Sequence, residues 1–244
     1  MSWSWGTLAL LALWLLATRL HWLTERVLPD PLAVLQSLGA DLASAVFWSA
    51  VGVTVLTSLI GLAIGGIGGG LTAFILSDRN FRWLYVLLRP YFTFLNSMPR
   101  IVLVPFFILI FGIGPSSRIT LGASLVFFVM FYGVFGAVEA VRPEFLRSAY
   151  IMGASRVAIW RLVLFPGALP GVFDSLRVSV SLALLGVVVA EIVSTPSGLG
   201  GLLRLRVDQY DLPGVFSALL VLGVLSGASM ALLARIERRL FQWR

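Results

Sequence analysis

The sequence predicts an all-α membrane protein of about six transmembrane helices, with both termini on the cytoplasmic side. Three observations carry this. The 244 residues are 59% hydrophobic and 12% charged, where an average soluble domain is about half apolar and about a quarter charged. The apolar residues fall in long runs, and one span needs about 20 of them. The basic residues, all eighteen of them Arg, gather in the connectors of one side. Such a composition excludes a soluble enzyme, and it excludes disorder, which requires few apolar residues. It leaves no room for a separate soluble domain, so residues 1–244 read as one transmembrane unit.

The spans fall at about 6–23, 45–76, 83–112, 119–138, 172–193 and 214–233. The first run, Gly6 to Leu23, is long for a signal-peptide core, has no basic start and is followed by no A-x-A-like site. It reads as a retained span. Thr24 to Leu42 is a polar connector in which Pro29-Asp30-Pro31 turns into a short amphipathic helix. The second span holds Gly61, Gly65, Gly66, Gly68, Gly69 and Gly70. These lack the lysine of a phosphate loop and suit close helix packing. After a polar break at Ser77–Arg82, the third span carries Pro90, Pro99 and Pro105, which are expected to kink or break it. A turn at Gly112–Ser117 leads to the fourth span. Glu139–Pro170 is the longest charged connector, and its centre, Ser148–Phe165, is amphipathic. The fifth span is followed by a loop, Ser194–Pro213, then the sixth span and a basic tail, Arg235–Arg244.

Orientation follows from the Arg count. With the N-terminus inside, eleven Arg lie in cytoplasmic segments and four outside, namely Arg26, Arg118, Arg204 and Arg206. That asymmetry sets both termini inside and makes 139–170 cytoplasmic. The net charge of +7 is thus topological and does not point to nucleic acid.

Catalysis finds no foothold. There is no Cys, and the only His is His21, at the end of the first span, with no metal-ligand spacing. No nucleophile–base pair marks an intramembrane enzyme. Without a P-loop lysine the chain cannot hydrolyse ATP by that route, so a transport motor would be another chain. The remaining classes are a permease with an external motor and an ion-gradient secondary transporter or channel. The latter often places several ionisable groups at midplane, and here only Arg100 is clearly placed so.

The connector from Arg147 to Pro166, RSAYIMGASRVAIWRLVLFP, is the informative segment. Ser148 and Ala149, then Gly153 at a bend, then Val163-Leu164-Phe165-Pro166 describe a helix–turn–helix, with Pro166 marking the return to the membrane. By composition alone it could equally be a surface helix, with Arg156 and Arg161 at lipid headgroups. The segment resembles the EAA loop of bacterial ABC importer permeases, E-A-A-x3-G-x9-I-x-L-P. Arg147 stands for the Glu and Ser148 for the first Ala; Ala149, Gly153 and Pro166 match. NSMPRIVLVPFFILIFGIG (96–114), PGALPG (166–171), VVVAEIVSTPSGLG (187–200) and LPDPLAVL (28–35) are similar to blocks of the nitrate/sulfonate/taurine-type permeases.

The resemblance implies a MetI-like fold in the bacterial inner membrane and an ATPase-coupling surface of Arg147, Ser148, Ala149, Gly153, Ala154, Ser155, Arg156, Trp160 and Pro166. It implies a second permease copy, two ATPase subunits holding ATP and Mg, an extracytoplasmic binding protein, and no cofactor on this chain. The solute it suggests is an anion such as a sulfonate, taurine or nitrate, or else a neutral heteroaromatic vitamin precursor.

Charge within a bilayer is costly and commonly functional. Met98, Pro99 and Arg100 sit in the broken third span, where Arg100 either faces the translocation path and meets an anionic or polar substrate, snorkels to the cytoplasmic headgroups, or pairs with a carboxylate such as Glu191. Glu191, near the outer end of the fifth span, either accepts hydrogen bonds from the following loop and holds the mouth shut, or contacts solute. Asp174 and Arg177, three apart on one helix, are either local support or part of an inner gate.

Overall fold

The computed structural model describes residues 2–20, 28–194 and 197–240, with side chains for all of these except 2–4, 7–11 and 240. His21, Arg26 and Arg244 lie outside the described residues. Among the described residues every regular element is a helix: α1 (Ser2–Arg19), α2 (Pro31–Ala43), α3 (Ala45–Ser77), α4 (Arg82–Ser97), α5 (Val104–Phe111), α6 (Pro115–Glu139), α7 (Pro143–Ile151), α8 (Arg156–Ile159), α9 (Phe165–Ser194), α10 (Gly198–Asp208) and α11 (Leu212–Leu240). Four helical units, α3, α6, the run from α8 through α9, and α11, are each long and apolar enough to span a bilayer. The pair from Arg79 to Phe111, bent by 86°, makes a fifth. α1 falls outside that set over its described residues.

The core is a three-helix stack of α3, α6 and α9. Gly61, Gly65 and Gly69 lie four apart on α3 and share one face. A Cβ on Gly65 would stand 2.8 Å from Val126 Cβ, and one on Gly69 3.1 Å from Met130 Cβ, both on α6. Backbone contact this close is what small residues permit between membrane helices. On the other side of α6, a Cβ on Gly186 of α9 would stand 3.0 Å from Gly122 Cα. Ala73, Leu76, Val126, Met130, Phe131 and Val134 fill the centre. α11 packs loosely, and an apolar cavity of about 190 Å³, lined by Ser58, Leu62, Ala183 and Leu225, separates it from α3 and α9.

Four expectations need correction. Of the three prolines in the third span, only Pro99 breaks it. Met98, pushed to extended backbone (φ −69°, ψ 133°) by the following proline, closes α4. Pro105 sits in the first turn of α5, where its missing N–H costs nothing, and Pro90 stays inside α4. No helix boundary marks the end of the 139–170 connector. Arg156 to Ser194 is one helical run of 39 residues. A π turn at Trp160–Leu164, closed by Phe165 N–H to Trp160 O, immediately precedes Pro166. The wider turn absorbs the bond and the ring clearance that a proline takes from a helix. Ser194–Pro213 is not a plain loop, because α10 forms within it. Its Leu199 and Leu203 are buried against Phe47 and Val51 and against Val215 and Ala218. Finally, Arg235, Arg238 and Arg239 belong to the last turns of α11 rather than to a separate tail.

Candidate functional site

Two polar clusters lie at opposite ends of the three-helix stack, with Arg100 between. The first end carries the helix–turn–helix of 143–166. α7 closes with Gly153 N–H donating to Tyr150 O (3.0 Å) and Ala154 N–H to Ala149 O (3.0 Å). Gly153 has φ +73°, a conformation that side-chain-bearing residues rarely adopt. A Cβ there would touch nothing within 4 Å, so the demand is on the backbone alone. Ser155 caps α8, its hydroxyl accepting from Ala158 N–H at 3.3 Å. The turn pushes Ile151 and Met152 outward at 86% and 84% exposure. Ser148, Ala149, Ala154 and Pro166 line a groove between α7 and the following helix, and Arg147 is exposed on α7.

Arg156 and Trp160 point the other way. Both reach Asp78 at the end of α3, Arg156 as an ion pair and Trp160 by Nε1 at 2.9 Å. Beside them Arg82 pairs with Glu139 at 2.6 Å. A cavity of about 580 Å³ opens here, lined by Asp78, Glu139, Tyr150, Arg156 and Trp160. Asp174 stands 3.8 Å from Arg177, which also donates to Glu237 of α11 at 2.6 Å, so this pair joins two helices.

Arg100 begins the 3₁₀ turn after the break. It donates to Asn96 Oδ1 at 2.6 Å and lies over the Phe128 ring, 4.5 Å from its centre. Met98 is half-buried and Pro99 exposed. Arg100 does not pair with Glu191, contrary to that alternative.

Glu191 takes a different cation. Its side chain is fully buried, and it accepts from Thr54 Oγ1 (2.8 and 3.0 Å), Gly200 N–H (3.0 Å) and Arg118 Nη1 (3.4 Å). Thr54 Oγ1 in turn accepts from Leu199 N–H at 2.8 Å. Arg118, read from sequence as an outer-side residue, is 3% exposed and also donates to Gly114 O at 3.1 Å. One carboxylate thus joins α3, α6, α9 and the start of α10. A neighbouring node ties α2 to α10 and α11: Asp41 pairs with Arg206 and accepts from Ser217 Oγ at 2.5 Å.

Sequence reasoning missed Asp78, Thr54, Arg118, Asp41 and Arg206. For Asp41 a signal existed, since it is a lone charge among apolar and small residues, but its 165-residue separation from Arg206 hid the pairing. Among the described residues no three His, Asp or Glu side chains converge as metal ligands.

The family model for binding-protein-dependent transport system inner membrane components matches residues 65–242. Several curated proteins are similar along nearly the whole chain. The formylaminopyrimidine transport permease protein ThiX of Halalkalibacterium halodurans is 28% identical over 97% of this chain and 93% of its own. The riboflavin transport system permease protein RibX of Chloroflexus aurantiacus is 29% identical over 96% and 87%. The aliphatic sulfonates transport permease protein SsuC of Escherichia coli is 30% identical over 94% and 88%. Among solved structures, a chain of the inward-facing MetNI methionine ABC transporter superposes with a TM-score of 0.64. It is 21% identical and covers 79% of this chain and 93% of that one. This likeness shows a shared fold.

Proposed function

We propose a working role from the premise that this chain belongs to the family of binding-protein-dependent transport system inner membrane components. It is a multi-pass permease subunit of an ABC importer, and the ion-gradient alternative gives way to that membership. In the proposed role two copies of the chain form the path. ATP and Mg are held by two separate ATPase chains, and a binding protein delivers solute to the end carrying Glu191. The segment from Arg147 to Pro166 meets the ATPase. The chain itself makes no covalent change to the solute.

One observation supports the coupling assignment above the others. Ile151, Met152 and Val157 are 86%, 84% and 75% exposed on a turn whose base is fixed. Exposed apolar side chains on a rigid projection suit a groove in a partner. Transport then proceeds as a shift between two packed arrangements of the spans. The test is copurification of the permease with its ATPase. Ile151→Asp and Met152→Asp should each release the ATPase while leaving the permease in the membrane. Retention of the ATPase by both variants would remove this segment as the contact.

For the solute we favour a small anion such as a sulfonate, taurine or nitrate. The named relatives include carriers of sulfonates and of heteroaromatic compounds. What supports the anion is Arg100, a cation at the helix break with no carboxylate partner among the described residues. Titration of the cognate binding protein with taurine, alkanesulfonates, nitrate, a formylaminopyrimidine and riboflavin decides the matter. Tight binding confined to the neutral heteroaromatics replaces the anion.

A further inference from the structure

Family resemblance assigns Arg156 and Trp160 to ATPase coupling, yet both side chains turn away from the exposed tip and end on one carboxylate. Asp78 terminates α3 in extended backbone (φ −69°, ψ 137°). Its Oδ1 accepts from Asn80 N–H at 2.9 Å, so the backbone turn orients it, and that same oxygen meets Arg156. Its Oδ2 accepts from Trp160 Nε1 at 2.9 Å. Arg156 and Trp160 are four apart on one helical run and share a face, so a single carboxylate holds one whole turn.

A second attachment lies one turn back along α3. The Phe74 ring packs on Trp160 and Phe165, with centroids 6.0 and 5.8 Å apart. One attachment would be a hinge; two, separated along α3, resist rotation as well as translation. α3 is in turn seated on α6 through Gly61, Gly65 and Gly69.

We infer that Asp78 is the positioning residue of the coupling segment. Through Arg156 and Trp160 it fixes the helix–turn–helix to the end of α3, so that a displacement of the tip enters α3 and α6 as well as α9. The tip residues Ile151 and Met152 face the ATPase; Arg156 and Trp160 carry the motion inward. This rests on the reading of 147–166 as the ATPase contact.

The test uses the full transporter, permease with its ATPase and binding protein, in proteoliposomes. The readout is solute taken up per ATP hydrolysed, because loss of folded protein lowers both quantities together and leaves their ratio unchanged. Asp78→Ala should keep the ATPase bound at the parental ratio and lower uptake per ATP by about tenfold, within the usual range of coupling between sites. Asp78→Glu should recover much of it. Arg156→Ala should lower the ratio likewise, and adding it to Asp78→Ala should do no further harm, as expected for partners in one contact. A parental ratio in Asp78→Ala, or losses that multiply in the double variant, overturns the inference. Should Asp78→Ala fail to accumulate, the exchange Asp78→Arg with Arg156→Asp carries the same test: recovery relative to either single change supports it, and no recovery overturns it. The docking assignment fails separately, when Ile151→Asp and Met152→Asp leave the ATPase bound.

Discussion

Glu191 offers the sharpest test of how the end opposite the Gly153 turn is held. Replacing it with Ala removes the acceptor for Thr54, for the Gly200 N–H and for Arg118 in one step. Arg118, only 3% exposed, is then left with the Gly114 carbonyl. Removing one partner of a buried ion pair costs about 3–5 kcal/mol, chiefly through the stranded charge. In a chain of this size that corresponds to a fall in melting temperature of about 6–20 °C. Glu191→Gln keeps a carbonyl for Thr54 and Gly200 and loses the charge, which costs about 1.5–3 kcal/mol. Adding Arg118→Met to Glu191→Gln should recover part of the loss, because it removes the unpaired guanidinium. The assay is thermal unfolding of the purified permease followed by the emission of its eight Trp. A Glu191→Ala melt within about 2 °C of the parent, less than 1 kcal/mol on this scale, would refute the reasoning. A variant that melts normally but has lost uptake would make Glu191 a solute contact instead.

Other substitutions probe the remaining joints. Gly65→Ala places a Cβ 2.8 Å from Val126 Cβ and should destabilise by about 1–3 kcal/mol. Gly70→Ala, with nothing within 4 Å, should melt at or above the parent, since Ala favours a helix over Gly by about 0.8–1 kcal/mol; equal melts would deny the α3–α6 contact. Asp41→Ala leaves the guanidinium of Arg206 with Gly214 O and with Asp211 at 3.8 Å, and the lost charge-assisted hydrogen bonds should cost about 1.5–3 kcal/mol. Arg206→Lys should not restore parental stability, since an ammonium cannot copy the two-pronged contact with Asp41 and the bond to Gly214 O; a parental melt in either variant counts against the node. Gly153→Val should leave insertion intact and abolish stimulated ATPase activity, because φ +73° is strained for a β-branched residue; normal stimulation would show that the turn tolerates another shape. Arg100→Ala at normal expression should cut uptake about tenfold, the scale of one charge-assisted hydrogen bond, with Arg100→Lys in between; unchanged uptake in both removes Arg100 from the path.

Much of the fold was legible because membrane helices announce themselves by composition. The run read as 45–76 is helical as α3, Ala45–Ser77, and Gly61, Gly65 and Gly69 of it face α6. The bend at Gly153 was legible too, since the spacing of the loop required it. The breaks were less so. Three prolines looked equivalent in the third span, but a proline's effect depends on which carbonyl lies a turn behind it, and Pro105 falls at a helix start where none is displaced. The continuity of the helix through Pro166 was not legible, because a π turn can absorb a proline, and no residue type marks a π turn. Least legible were the polar joints. Thr54 and Glu191 are 137 residues apart, and Asp78 and Trp160 are 82 apart. Nothing local in either member points to the other, because the pairing is decided by how α3 and the 156–194 helix lie together.

The single helical run from Arg156 to Ser194 has a consequence for how the two ends communicate. At 1.5 Å per residue its 39 residues extend about 58 Å, with the Asp78 attachment at one end and the Glu191 node near the other. A continuous helix resists compression along its axis, so a displacement imposed at Arg156 reaches Glu191 unless the rod bends on the way. Its weakest points for bending are the π turn and the two prolines that follow, Pro166 and Pro170, since each lacks a regular backbone hydrogen bond. All lie within the first fifteen residues of the run. Beyond Pro170 the helix is unbroken and lies against α6 through Gly171, Gly186 and Ser175. Motion at the Arg156 end is therefore absorbed between Trp160 and Pro170, shared with α3 through Asp78, or carried along α9 to Glu191. In the last case a shift of α9 relative to α3 or α10 pulls Glu191 away from Thr54 or from Gly200, which sit on different helices. Any such relative shift breaks hydrogen bonds that hold the far end together here.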